Sequence, residues 1–143
     1  MTTIPTCSDC RYAHELLADM LVNGICPACV ERRDYETKLA ALTDKRGAYV
    51  VALASCGNVD FGQHPDRSLP GVPAKRVRVA TLRAASEVCR LYIEHHELGG
   101  GNWIGGDVLD AKTQAAVAKI SYNGQAWKPG TYPQPEIALE AAS

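Results

Sequence analysis

Two Cys-x2-Cys pairs, Cys7 with Cys10 and Cys26 with Cys29, stand near the N-terminus with fifteen residues between them. The 46 residues around them are too few to bury a self-sufficient core, and a segment of that size normally needs a metal or disulfides. Each Cys-x2-Cys turn brings two thiolates to about 2.3 Å from one ion, so the four cysteines predict a tetrahedral Zn(II) site. Four thiolates close the coordination sphere and leave no position for water or substrate, which makes the expected zinc structural rather than catalytic. Two disulfides would need an oxidising compartment. The N-terminus lacks the basic, apolar and small-residue progression of a signal peptide, which argues against that alternative. Iron takes the same four ligands and stays open as a second metal.

Between the pairs, Leu16, Leu17, Met20 and Leu21 repeat at helical or tight-turn spacing, and Asn23-Gly24 turns the chain back toward Cys26. After the second pair, residues 30–42 predict a helix. Tyr35, Leu39 and Leu42 share one face, with Arg32 and Glu36, and Asp34 and Lys38, as i,i+4 partners on the other. A second knuckle running directly into a helix resembles the treble-clef and zinc-ribbon fingers, which implies a structural zinc and no particular partner. The polar stretch Thr43-Asp44-Lys45-Arg46-Gly47 ends the helix and divides the chain. The expected organisation is a finger plus helix over 1–46, a body over 47–128 and a Pro-rich tail over 129–143 that is mobile or folds only against a partner.

The body reads as α+β. Residues 49–54 are apolar and β-branched, and Val50 beside Val51 predicts a strand buried on both faces. Residues 56–74 are rich in Gly and Pro and predict a long surface loop. Asp60-Phe61-Gly62 within it matches the metal-binding triplet of protein kinases by chance, since the chain is far too short for one. Residues 75–80 alternate, with Arg76 and Arg78 on one face and Val77 and Val79 on the other. Thr81 is a predicted N-cap for a helix over 82–98, whose apolar face carries Ala85, Val88, Cys89, Tyr92, Ile93 and His96, closed by Gly99. Strands at 107–109, 115–122 and 125–128 follow, the last two joined by Asn123-Gly124, for which a type I′ turn is predicted. The expectation is one antiparallel sheet of four or five strands with one helix across it, behind a four-cysteine zinc finger.

Composition narrows the function. Fifteen Lys and Arg against sixteen Asp and Glu give a net charge of −1, which argues against a protein that coats nucleic acid through bulk charge. No apolar run approaches the roughly 20 residues needed to cross a bilayer. Lys75, Arg76, Arg78, Arg83 and Arg90, with Arg67 before them, form a basic run interrupted only by Glu87. Arg76, Arg78 and Arg83 are therefore candidate ligands for phosphates, of nucleic acid or of a small nucleotide. Residues 99–106 hold five glycines around Asn102-Trp103. In P-loop and dinucleotide folds the glycines follow a strand and precede a helix. Here the order is helix, glycines, strand, so the segment is either a tight connection or a ligand loop in which Asn102 offers a donor and an acceptor and Trp103 a stacking face. Cys89, His95 and His96 are the nearest approach to a catalytic set, but Cys89 lies on the apolar face and more than one turn away, so no catalytic residues are expected.

The segments 78–82, 85–94, 100–108 and 120–127 together resemble small accessory proteins of bacteriophages and mobile elements. That resemblance implies a non-enzymatic protein in the cytoplasm of a bacterial host. Such a protein inhibits a host defence protein, CRISPR-type or other, or sequesters a nucleotide signal as the Thoeris anti-defence sponges do. The alternative expectation is a zinc-finger protein that binds nucleic acid.

Overall fold

A computed structural model describes residues 27–65, 67–130 and 135–139. The chain divides into two compact units, Met1–Ala40 and Ala41–Ser143. Among the described residues of the first unit is most of helix α1, Pro27–Leu42. The helix opens three residues earlier than the periodicity predicts, because Pro27 presets φ for a first helical position and has no N–H to leave unsatisfied. Its surface is organised as expected. Leu39 is buried, Tyr35 and Leu42 are half-buried, and Asp34 pairs with Lys38 at 2.9 Å and Arg32 with Glu36 at 4.0 Å.

The second unit contains strands β1 (Tyr49–Leu53) and β2 (Lys75–Val79), helix α2 (Leu82–His95), and strands β3 (Asp107–Asp110), β4 (Ala116–Ile120), β5 (Ala126–Trp127) and β6 (Glu136–Ile137). The strands make one antiparallel sheet in the order β2-β1-β3-β4-β5-β6. β2 and β3 flank β1 and run parallel to each other, so β2, α2 and β3 form a crossover that straddles an already placed strand, a split β-α-β arrangement.

Six strands replace the expected four or five because part of the tail joins the sheet. Glu136 and Ile137 pair with Trp127 and Ala126, and the Lys128 N–H donates to the Pro135 carbonyl at 2.9 Å.

α2 packs on one face of the sheet and closes the core with it. Val51, Leu53, Val77, Val79, Val108, Ala118 and Ile120 point inward from the strands, against Leu82, Ala85, Val88, Cys89, Tyr92 and Ile93 of the helix, all of them buried. Fully burying an aliphatic side chain of this kind contributes about 1.5–3 kcal/mol. In β1 only Val51 and Leu53 are buried while Val50 and Ala52 are half-exposed, so the strand is one-faced, contrary to the two-faced expectation. The cause is the helix, which covers one side of the sheet.

The helix starts as predicted, with the Thr81 hydroxyl accepting from the Ala84 N–H at 3.0 Å. It ends earlier. His96 is the C-cap, Glu97 takes the left-handed conformation at φ 53°, Leu98 N–H donates to the Ile93 carbonyl and Glu97 N–H to that of Glu94. This is a Schellman closure with a glutamate where glycine is the usual choice. The β4–β5 turn falls where Asn123-Gly124 predicts it but has another geometry. Gly124 N–H donates to the Ser121 carbonyl, and of the turn residues only Gly124, at φ 88°, is left-handed. That is a type I turn followed by a glycine bulge. α2 imposes it: Ser86 Oγ donates to the Gly124 carbonyl, and Arg90 Nη1 donates to the Tyr122 carbonyl at 2.6 Å.

Candidate binding site at the end of the sheet

The connections β1–β2 and α2–β3 emerge at the same end of the sheet, and hydrogen bonds stitch them together. Asn58 N-caps a 3-10 turn, Val59–Phe61, by accepting from Asp60 N–H, and a second such turn spans Gly100–Asn102. The Asn102 side chain lies between them. Its Nδ2 donates to the Cys56 carbonyl at 3.0 Å and to Gln63 Oε1 at 3.1 Å, and its Oδ1 accepts from Gly99 N–H at 3.3 Å. Cys56 N–H donates back to the Asn102 carbonyl at 2.9 Å, and Ser55 bridges to Trp103. Two glycines permit this approach, since a Cβ at Gly101 would strike the Asn58 side chain and one at Gly105 would meet Ala54 N at 2.7 Å.

The residues singled out in the sequence are therefore placed as follows. Asn102 is buried with its amide engaged on both ends, and it holds the loops together. Trp103 is half-buried, donates from Nε1 to the Ile120 carbonyl at 3.2 Å, and lies 6.0 Å from the Tyr92 ring. Tyr92 in turn donates its hydroxyl to the Pro73 carbonyl at 2.8 Å, which fixes the far end of the β1–β2 connection. The basic run does not form a single patch. Arg76 and Arg78 are exposed on the strand face turned away from α2, with Arg78 Nε donating to the Gly47 carbonyl at 2.8 Å, whereas Arg83 and Arg90 belong to α2 itself. Arg83 is exposed, and Arg90 is held by Tyr122 and by Glu94 at 3.3 Å.

Cys89 is fully buried, and desolvation pushes its thiol far up, so it stays protonated. His96 stacks edge-on against Tyr92 at 4.6 Å, and burial together with the neighbouring His95 holds its imidazole below the usual histidine range. Cys7, Cys10 and Cys26 lie outside the described residues, and Cys29 is described only by its backbone, in the first turn of α1. Among the described residues no group of three or more His, Cys, Asp or Glu side chains is arranged to hold a metal ion, and no helix is long and apolar enough to cross a membrane.

The stitched connection borders a cavity of about 370 Å³, lined by Gly57, Gln63, His64, Arg67, Ser68 and Leu69 and walled by Pro70. Hydrogen bonds hold the loop around it. Gly57 N–H donates to the Arg67 carbonyl at 3.0 Å, Leu69 N–H donates to Ser55 Oγ at 3.1 Å, and a Cβ at Gly57 would collide with the His64 carbonyl. The sequence marks residues 56–74 only as a Gly- and Pro-rich loop, and the one local cue to its order is Asn58 as a capping residue. On the two connections, Val59 and Ile104 are strongly exposed apolar residues, at 65% and 52%.

No family model, curated protein or solved structure matches the chain.

Proposed function

We propose that this chain is a non-enzymatic, zinc-stabilised binding protein of the small phage or mobile-element accessory type. It acts by occupying a host defence protein, CRISPR-type or other, or by sequestering a nucleotide signal. The observation that carries this reading is the pair of connections locked by Asn102. Their backbone is fixed before any partner arrives, and they present Val59, Ile104 and a cavity at one end of the sheet. Preorganised loops lose little conformational entropy on association, which favours binding. The zinc belongs to the proposal through Cys7, Cys10, Cys26 and Cys29, whose spacing suits a closed tetrahedral site.

A second reading, a zinc-finger nucleic-acid binder, draws on the outward-facing Arg76 and Arg78. Recovery of the tagged full-length chain from its bacterial host, with metal analysis of the same sample, separates the two. The first reading expects one zinc per chain and a defence protein or nucleotide, with capture of a protein lost in Val59→Asp and Ile104→Asp variants. RNA or DNA fragments that dissociate as salt rises, and that Arg76→Gln with Arg78→Gln abolish, would establish the second reading instead.

A further inference from the structure

The cavity in the β1–β2 connection has a chemistry of its own. Gln63 lies on its wall, and its Oε1 accepts from the Asn58 backbone N–H at 2.9 Å and from Asn102 Nδ2 at 3.1 Å. A backbone N–H can meet only the oxygen end of an amide, so this contact fixes which end of Gln63 is which. The Nε2 end, with two N–H donors, takes no hydrogen bond among the described residues, and neither do the Arg67 guanidinium or the Ser68 hydroxyl. His64 adds an imidazole to the rim, and among the described residues that line the cavity none is acidic. Donors from Gln63, Arg67 and Ser68 are thus gathered around one concavity.

The remaining surface is different. Leu69 and Pro70 provide an apolar wall, and Leu69 is held by its N–H on the Ser55 hydroxyl. Small-molecule sites typically span about 300–1,000 Å³ and combine apolar walls with a few convergent polar groups. A volume of about 370 Å³ lies at the small end of that range and is far larger than a bare oxyanion requires. An anion carrying a compact, flat, apolar-faced body satisfies both halves of the cavity.

We propose that the cavity bounded by Gln63, Arg67, Ser68, Leu69 and Pro70 is a binding site for a nucleoside monophosphate. The phosphate is received by the Arg67 guanidinium, Gln63 Nε2 and the Ser68 hydroxyl, and the base lies against Leu69 and Pro70. Arginine suits this task because its planar fork meets two phosphate oxygens at once. The proposal rests on the binding reading above and specifies a ligand class for it.

Calorimetric titration of the full chain with AMP, GMP, CMP and UMP, with the four nucleosides and with inorganic phosphate, tests it. At least one monophosphate should bind, its nucleoside at least about tenfold more weakly, since the charge-assisted bonds are lost. Arg67→Gln and Gln63→Glu should each weaken that monophosphate by about tenfold or more. Gln63→Glu keeps an acceptor oxygen for Asn58 and Asn102, so the loop stays stitched while the donors facing the ligand become an anion. Both variants should melt as the parent does, and Lys112→Gln, an exposed position between β3 and β4 and outside the cavity, should bind as the parent does. Absence of binding by all four monophosphates, equal affinity for a nucleoside, or binding unaffected by both cavity variants would overturn the site while leaving the broader binding role standing. Turnover of a bound monophosphate would instead overturn the non-enzymatic reading and leave the site in place.

Discussion

Asn102 carries more of this fold than its size suggests. It satisfies the Cys56 carbonyl, the Gly99 N–H and Gln63 from a buried position, so truncation leaves several polar groups without partners in a dry place. Asn102→Ala should cost about 2–3 kcal/mol, read as a lower denaturation midpoint with an unchanged slope. A doubled Asn102→Ala, Trp103→Ala variant should be further destabilised, because Trp103 donates to Ile120 and packs near Tyr92. Glu97 offers the opposite case. It holds the left-handed position of the α2 closure at φ 53°, where a side chain is disfavoured, so Glu97→Gly should raise stability by about 1 kcal/mol, seen as a higher melting temperature.

Asp110 supplies a pH-dependent contribution of known sign. Its carboxylate accepts from the Thr113 and Lys112 N–H groups, which hold its folded pKa below the ordinary value. The unfolded chain binds the proton more readily, so this contribution is fully present above the ordinary carboxylate pKa and is lost as pH falls through the folded one. The melting-temperature gap between the parent and Asp110→Asn should therefore be constant near neutrality and close in acid.

At the scale of elements, the sequence is most legible where structure is local. α2 announces itself through Thr81 and a regular apolar stripe, and the alternation of β2 places Val77 and Val79 inward without ambiguity. Legibility falls where another element decides. Asn123-Gly124 marks the turn, but Ser86 and Arg90 of α2 seize the Gly124 and Tyr122 carbonyls and select its geometry. The cavity is hidden from the sequence for the same reason, since Cys56 and Gln63 take their places from Asn102, forty-six residues after Cys56. In the Gly-rich segment 99–106 the glycines allow close passage of neighbouring chain. Gly106 shows how strictly. It sits at φ 97° between β1 and β4, giving its N–H to Ala52 and accepting from Ile120, and a Cβ there would strike the Ile120 carbonyl. Gly106→Ala should prevent accumulation of folded protein, detected as loss of the cooperative thermal transition.

For the whole molecule, the expected metal sets the test. One zinc per chain should be measured, and Cys→Ser at any of positions 7, 10, 26 or 29 should remove it, because a structural site with three thiolates is open to water and to chelators. Retention of stoichiometric metal in all four variants would reject the finger.

The split crossover also sets an order of events during synthesis. β1 pairs with β2, which follows it closely, but its other flank belongs to β3, with Tyr49 opposite Asp110. A ribosome that has released α2 but not yet β3 therefore displays a two-stranded ribbon, covered on one face by α2, whose inner edge is bare. The β1–β3 pairing waits on residues translated long after β1, the kind of distant closure that slows folding and lengthens exposure of apolar surface. Until the strand that completes its centre has left the exit tunnel, the apolar face of an unfinished sheet stays open to water.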